Sequence, residues 1–398
     1  MNILLLTTIY PEPKSYGINS DTKVVHYFAS EWVKMGYRVV VFHLYTNPIK
    51  QGGRMLSPRK YGIKIYENEG VEVLFAEAQI LLPHSFVPFK WQQKRWARCM
   101  TDKLIKESPD FTPDVISVHF PLSLHYFYST IHKKFLQAPA CAVFHGSDIR
   151  ELQKRKEEIP ALLSSYDKFL FRSPMLMKKA VEMGMDENRS QLALSGIDAS
   201  LVAPLEEIEV KASKPVPDEW RIAYVGKLNA QKRVDTIIKA VNKLKGSFKI
   251  HLDIVGDGPD ENVLKQLAEN LSMGDAITFW GQQTREASVK IMKEADVFVM
   301  VSKNETFGLV YVEAMCQGCI AIGSKGEGID GFIVDGETGF LVEPANVDLL
   351  VERLCYVFQL NQVDRRKIIM QSYSKASQLT DKSAAKQYLD ELTNYLVS

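Results

Sequence analysis

Short unbroken apolar runs alternate along this chain with longer stretches in which apolar residues recur every three to four positions. The first 45 residues show the pattern: an apolar run from Ile3 to Thr8, a polar loop from Tyr10 to Asn19, a helical period from Asp21 to Met35 closed by Gly36, and a second apolar run from Arg38 to Leu44. This predicts a β-α-β unit. Further strands are expected at Val71 to Ala76, Asp114 to His119, Ala140 to His145 and Lys168 to Phe171. Strands that alternate with helices, and that are apolar throughout, imply a parallel sheet covered on both faces.

The periodicity breaks between Val202 and Glu219, where Pro204, Pro215 and Pro217 flank the charged Glu206-Glu207-Ile208-Glu209. This predicts a linker. Beyond it the alternation restarts at Arg221 to Gly226 and continues at His251 to Val255, Ala276 to Phe279, Asp296 to Val301 and Ile320 to Gly323, before a helical tail from about Val347. At 398 residues the chain exceeds one ordinary core, so the expected architecture is α/β with two domains, 1–202 and 220–380, joined by 203–219.

Composition narrows the function. Lys+Arg 49 against Asp+Glu 48 gives a net charge of +1, so nothing global calls for nucleic acid as a partner. No run approaches the roughly 18 to 20 apolar residues that span a bilayer. The first strand begins without a basic region ahead of a long apolar stretch, which points to a cytoplasmic protein. Five cysteines, an odd number, read as free thiols in a reducing compartment. Cys316 and Cys319 form a Cys-x-x-Cys, but they lie where a helix passes into a buried strand and no second ligand pair follows, so they are expected to be packing residues.

The candidate chemistry lies where strands end. Asp296 to Val301 reads as a buried strand, Ser302 to Phe307 as its polar exit loop and Gly308 to Gln317 as a helix, with Glu305 and Glu313 on either side of the turn. A helix opening at a glycine offers free backbone N–H groups and the positive end of its dipole to an anion. Lys227, Lys232 and Arg233 follow the strand that ends at Gly226, and the carboxyl edge of an open α/β sheet is where ligands bind. Val255-Gly256-Asp257-Gly258-Pro259 forms a second tight glycine turn after a buried strand, which by itself reads as a helix N-cap by Asp257 or a simple turn. It lacks the full dinucleotide fingerprint, which disfavours an oxidoreductase. In the first half, His145 closes a strand in Phe144-His145-Gly146-Ser147-Asp148; Asp148 is expected to cap the next helix, and His119 is a weaker candidate at another strand end. The chain contains no Asp-x-Asp, so no metal site is expected.

The segment Glu305-Thr-Phe-Gly-Leu-Val-Tyr-Val-Glu313-Ala-Met315 closely resembles the signature of retaining, nucleotide-sugar-dependent glycosyltransferases of family 4. That resemblance implies the GT-B fold: two Rossmann-like domains facing each other across a donor/acceptor cleft, with the last segment, 381–398, crossing back to the first domain. It implies that Glu313 accepts hydrogen bonds from the ribose, that Glu305 orients the donor sugar, and that the Phe307, Gly308 and Leu309 amides meet sugar and diphosphate. Lys227 and Lys232 would clamp the diphosphate, with Lys227 where relatives carry arginine. Gly256 would shape the donor floor and His145 would lie beside the donor sugar. Gly17 stands alone where relatives carry Gly-Gly, Ser195-Gly196-Ile197-Asp198 has serine for the usual asparagine, and Glu327 is a further sugar contact by position.

The implied activity is transfer of a sugar from a nucleoside diphosphate sugar, with no cofactor, to a hydroxyl of a bacterial glycan or lipid-linked glycan. A nucleotide-sugar epimerase of the same fold and a non-catalytic sugar-nucleotide binder are the alternatives. The cluster Lys90-Trp91, Lys94-Arg95-Trp96 and Arg98 bears on location. At about 100° per residue Trp96 shares a face with Ala97, Met100 and Leu104, while Trp91 lies opposite among the cations. Trp96 then belongs to the core, and Trp91 is either an ordinary helix residue or a contact with anionic lipid at the cytoplasmic face of a membrane.

Overall fold

The computed structural model describes residues 1–13, 23–48, 50–51, 54–55, 62–80 and 89–394, and the structural statements below concern these residues. Gly17 lies outside them. The chain divides into two compact units, one comprising 1–172, 176–195 and 381–398, the other 173–175 and 196–380.

The first unit contains β1 (Asn2–Thr7), β2 (Arg38–Pro48), β3 (Lys50–Gln51), β4 (Arg54–Met55), β5 (Lys64–Asn68), β6 (Val71–Ile80), β7 (Val115–His119), β8 (Ala140–Phe144), β9 (Lys168–Phe171) and β10 (Ser190–Leu192). Its sheet runs in the order β10-β9-β8-β7-β1-β2-β6-β5, and β3 and β4 form a separate ribbon. All pairings in the sheet are parallel except that of β5 with β6. Every residue of β7 and β8 is buried, because helices cover both faces and leave no polar side for alternation to mark. The crossovers are α1 (His26–Lys34), α2 (Lys90–Glu107), α3 (His125–His132), α4 (Gly146–Lys154), α5 (Ile159–Ser165) and α6 (Pro174–Glu182).

The second unit holds α7 (Leu205–Ser213), β11 (Glu219–Val225), α8 (Val234–Leu244), β12 (Lys249–Val255), α9 (Glu261–Asn270), β13 (Ile277–Gly281), α10 (Arg285–Glu294), β14 (Val297–Val299), α11 (Leu309–Cys316), β15 (Ile320–Ser324), β16 (Phe340–Val342), α12 (Val347–Phe358) and α13 (Gln362–Ala376). Its strands are all parallel, in the order β13-β12-β11-β14-β15-β16. The final helix, α14 (Asp381–Thr393), belongs to the first unit, where it packs on α1 and the Trp32 indole N–H donates to the Ala385 carbonyl at 2.8 Å.

Two features depart from the sequence pattern. The stretch 203–219, expected as a linker, contains α7: Pro204 sits at its N-cap, Glu206 and Glu207 in its first turn favour the helix dipole, and Ile208 and Ala212, four apart, are buried. Lys211 fastens α7 down by donating to the carbonyls of Lys293, Ala295 and Gln317 at 2.9, 2.6 and 2.8 Å. The passage between units falls at Ser195–Gly196 instead of Val202. The edge strands β5 and β16 were also unforeseen, β5 being only partly apolar and β16 only three residues long.

Candidate functional site

In the second unit the chain runs outward from β11 to β12 and β13, then returns to lay β14 on the other side of β11. The loops leaving β11 and β14 therefore lie side by side at the carboxyl edge, at the topological switch point where open α/β sheets bind ligands. Backbone and side-chain bonds tie them together: the Lys303 N–H donates to the Gln231 carbonyl at 2.8 Å and Gln231 Nε2 to the Asn304 carbonyl at 3.1 Å.

This juxtaposition joins two candidates 73 residues apart. Lys232 Nζ lies 2.5 Å from Glu305 Oε2 and 3.8 Å from Met300 Sδ, with both members of the ion pair largely shielded. Asn229 caps the short turn that carries Lys232, its side chain accepting the Lys232 N–H at 3.2 Å. Glu305 is held from several sides. Its N–H donates to Glu327 Oε2 at 3.0 Å, its carbonyl accepts from Gly328 at 3.1 Å, and its own Oε1 accepts from Thr306 N–H at 3.2 Å. Glu327, a sugar contact by position in the sequence, thus also braces Glu305. Lys227 is exposed, with its carbonyl bound by Tyr224 Oη at 2.9 Å, and its ammonium has no ion pair among the described residues.

Gly256 lies directly against the β11 loop. A Cβ there would sit 1.9 Å from the Gly226 carbonyl oxygen, so only glycine lets the two loops meet. Asp257 accepts the Leu228 N–H through its carbonyl at 2.6 Å, and the N-cap of α9 is Asp260, so the turn packs beneath the Lys227 loop and Asp257 does not cap the helix.

Helix α11 opens at Gly308, whose φ of 86° is left-handed and whose Cβ, if present, would meet the Tyr311 ring at 2.7 Å. Phe307 is buried edge-on against Phe332, at 5.3 Å between ring centres, and Leu309 begins the helix. One turn on, Glu313 is buried and engaged by a residue absent from the sequence candidates: Arg285 places Nη2 at 2.6 Å and Nε at 3.2 Å from Glu313 Oε1. The one available signal was the position of Arg285 at the start of a helix after a strand; its partner is 28 residues away.

In the first unit His145 stacks on Phe120 with ring centres 4.0 Å apart, and its Nε2 lies 3.0 Å from His119 Nδ1. Its ring also accepts the Asp148 N–H, while the Asp148 carboxylate accepts the His145 N–H at 2.9 Å, a reciprocal capping box on α4. The contacts continue from His119 Nε2 to Tyr388 Oη at 3.1 Å and from Tyr388 Oη to Ser117 Oγ at 2.5 Å. Burial and the nearby Arg172 charge hold both imidazoles well below the usual histidine range, and for His145 the facing His119 adds to the effect. His145 is thus a buried, neutral ring at the end of β8, packed between Phe120 and His119. Asp148 is pushed up to about 7 by burial.

The basic helix α2 divides as its faces predict. Trp96 packs against the core, Trp91 is 62% exposed among Lys90, Arg95 and Arg98, and Gln92 and Gln93 are buried as acceptors for the N–H groups of Gln79 (2.7 Å) and Phe127 (3.0 Å). Cys316 and Cys319 are buried, and Cys319 Sγ donates to the Met292 carbonyl at 2.9 Å, so this pair is packing. Among the described residues no three His, Cys, Asp or Glu gather as metal ligands, and no helix is long and apolar enough to cross a membrane.

Residues 206–375 match the family model described as glycosyl transferases group 1, and residues 22–201 match glycosyltransferase family 4. The chain is 25% identical over 350 residues to the sulfoquinovosyl transferase SQD2 of Arabidopsis thaliana, covering 81% of this chain and 64% of that protein. It is 26% identical over 236 residues to an N-acetyl-alpha-D-glucosaminyl L-malate synthase of Bacillus anthracis, covering 58% and 61%. The matched region thus spans less than two-thirds of either relative. Among solved structures, Anabaena HepE in complex with UDP superposes with a TM-score of 0.69 at 14% identity over 99% of this chain and all of that one. A glycosyltransferase of Rickettsia africae gives 0.67 at 15% over 99% and 98%.

Proposed function

Because this chain belongs to the glycosyl transferases group 1 family and has the GT-B fold, we propose that it is a retaining glycosyltransferase that moves a sugar from a nucleoside diphosphate sugar to a hydroxyl acceptor. The observation that carries this is the Lys232–Glu305 pair, 2.5 Å apart at the switch point of the second unit and next to the opening of α11. A cation, an oriented carboxylate and free helix N–H groups at one sheet edge are what a sugar diphosphate requires.

In this mechanism the Glu313 carboxylate accepts from the ribose hydroxyls, and Lys227, Lys232 and the Phe307 to Leu309 amides take the diphosphate. As the bond between the anomeric carbon and the diphosphate breaks, negative charge grows on the departing oxygen beside Lys232. Glu305, fixed by Glu327 and Gly328, orients the sugar, and Gly256 keeps the floor close. No carboxylate serves as an obligatory covalent nucleophile, and the acceptor hydroxyl enters on the face the diphosphate leaves. Charge neutralisation by lysine and helix dipole lets the reaction run without a divalent ion. The acceptor is a growing bacterial polysaccharide or lipid-linked glycan, used at the cytoplasmic face of a membrane to which the Trp91 surface of α2 binds. HepE, solved with UDP, supports a uridine donor as the first to be tried. Incubation with UDP-glucose and other labelled nucleotide sugars, with the product anomer read by NMR, tests the mechanism. Product of inverted configuration refutes it, as does a glycosyl ester trapped on Glu305.

A further inference from the structure

We propose that Arg285 is a positioning residue of the donor site, fixing the Glu313 carboxylate so that Oε2 is the oxygen offered to the ribose hydroxyls; this rests on the assignment of Glu313 to the ribose made above. The two hydrogen bonds that Arg285 makes to Glu313 fall on one oxygen, Oε1, at 2.6 and 3.2 Å. Oε2 has no hydrogen bond or ion pair to any described residue. A glutamate side chain has several rotatable bonds, and a mostly buried carboxylate needs a partner for its charge. Arg285 supplies both the partner and the orientation, and leaves one oxygen with its accepting capacity intact.

The anchor itself is rigid. Arg285 is the first residue of α10, whose N-cap Thr284 accepts the Ala287 N–H through Oγ1 at 3.2 Å and receives the Ser288 hydroxyl on its carbonyl at 2.9 Å. Ahead of it Gln283 Nε2 donates to the Trp280 carbonyl at 2.7 Å, and Gly281 accepts from the Gly256 N–H at 2.8 Å. The loop between β13 and α10 is thus locked to the glycine turn under the site and, through Arg285, to α11. Arg285 acts through Glu313, not on the nucleotide.

The test is calorimetric binding of a nucleoside diphosphate and its 2′,3′-dideoxy analogue to the whole protein, using whichever of UDP, ADP, GDP or CDP binds tightest. A hydrogen bond to a charged group corresponds to roughly 10- to 100-fold in affinity, so wild type should prefer the ribose form by about that factor. Glu313→Ala should abolish the preference. Arg285→Ala should weaken ribose binding by about 10-fold and leave the dideoxy affinity unchanged, Arg285→Lys should restore part of the preference, and the double variant should match Glu313→Ala alone. Equal loss for both ligands in Arg285→Ala would mean that Arg285 touches the nucleotide directly, and an undiminished preference would mean that Glu313 needs no holder; either overturns the proposal. A wild type with no preference, or a Glu313→Ala variant that keeps it, instead removes the ribose assignment itself. Thermal midpoints of Arg285→Ala, Arg285→Lys, Glu313→Ala and the double variant verify that each is folded.

Discussion

Replacing Lys232 by alanine separates a catalytic phosphate cation from a structural ion pair. Lys232 Nζ stands 2.5 Å from Glu305 Oε2, and its loss removes one charge from the site while leaving the carboxylate in place. The backbone of Glu305 stays bound to Glu327 at 3.0 Å and to Gly328 at 3.1 Å, so the loop should persist and the effect should be local. The diphosphate is already anionic when the donor binds, and exposed Lys227 also faces that charge; what Lys232 alone meets is the increment that appears as the glycosidic bond breaks. Removing one such preorganised donor lowers kcat by about 100- to 1000-fold, roughly 2.7 to 4 kcal/mol in the barrier. The donor KM should change less, because the interaction is strongest in the transition state. Steady-state transfer, with donor hydrolysis as a second readout, measures both constants. The control is Glu305→Ala: if Lys232 served only to hold Glu305, adding Lys232→Ala to that variant would have no further effect. An unchanged kcat in Lys232→Ala, or full redundancy with Glu305→Ala, refutes the phosphate role.

Three further outcomes are expected. Transfer should keep nearly its full rate in excess EDTA, and a complete loss restored by magnesium or manganese would refute neutralisation by lysine and helix dipole. Burial raises Asp148 from 3.8 to about 7 in the folded state, so between about pH 4 and pH 7 the folded chain holds a proton that the unfolded chain has released, and stability falls as pH rises through that window. The difference is worth on the order of 4 kcal/mol, so urea midpoints of Asp148→Asn should lack this slope; identical pH profiles for the two proteins would show that Asp148 is ionised throughout. The protein should sediment with anionic vesicles at low salt, leave them as salt rises and ignore neutral vesicles, with Trp91→Ala weakening the binding; equal affinity for both lipids would make Trp91 an ordinary helix residue.

The sequence by itself determined the alternation of buried strands and helices, the restart of that alternation at Arg221, and the segment from Glu305 to Met315 that carries the family resemblance. These are local properties. Apolar runs report a strand buried on both faces, and a loop entering a helix at glycine reports its free N–H groups, whatever the rest of the chain does. The split of α2 into a core face with Trp96 and an open face with Trp91 was legible for the same reason, since helical spacing sets which residues share a face. Tertiary structure alone decided the partners. Lys232 meets Glu305 because β14 returns beside β11, and Arg285 meets Glu313 because α10 and α11 come together around that strand; neither pairing leaves a mark in spacing. It also surrounded the His145 ring, bringing up His119 from 26 residues away and, beyond it, Tyr388, 269 residues from His119. Proline and charge in 203–219 looked like a linker because the burial of Ile208 and Ala212, which makes that stretch a helix, is supplied by other elements of the second unit. A pattern along the chain records what each residue prefers to bury, and only the packed fold supplies the neighbour it is buried against.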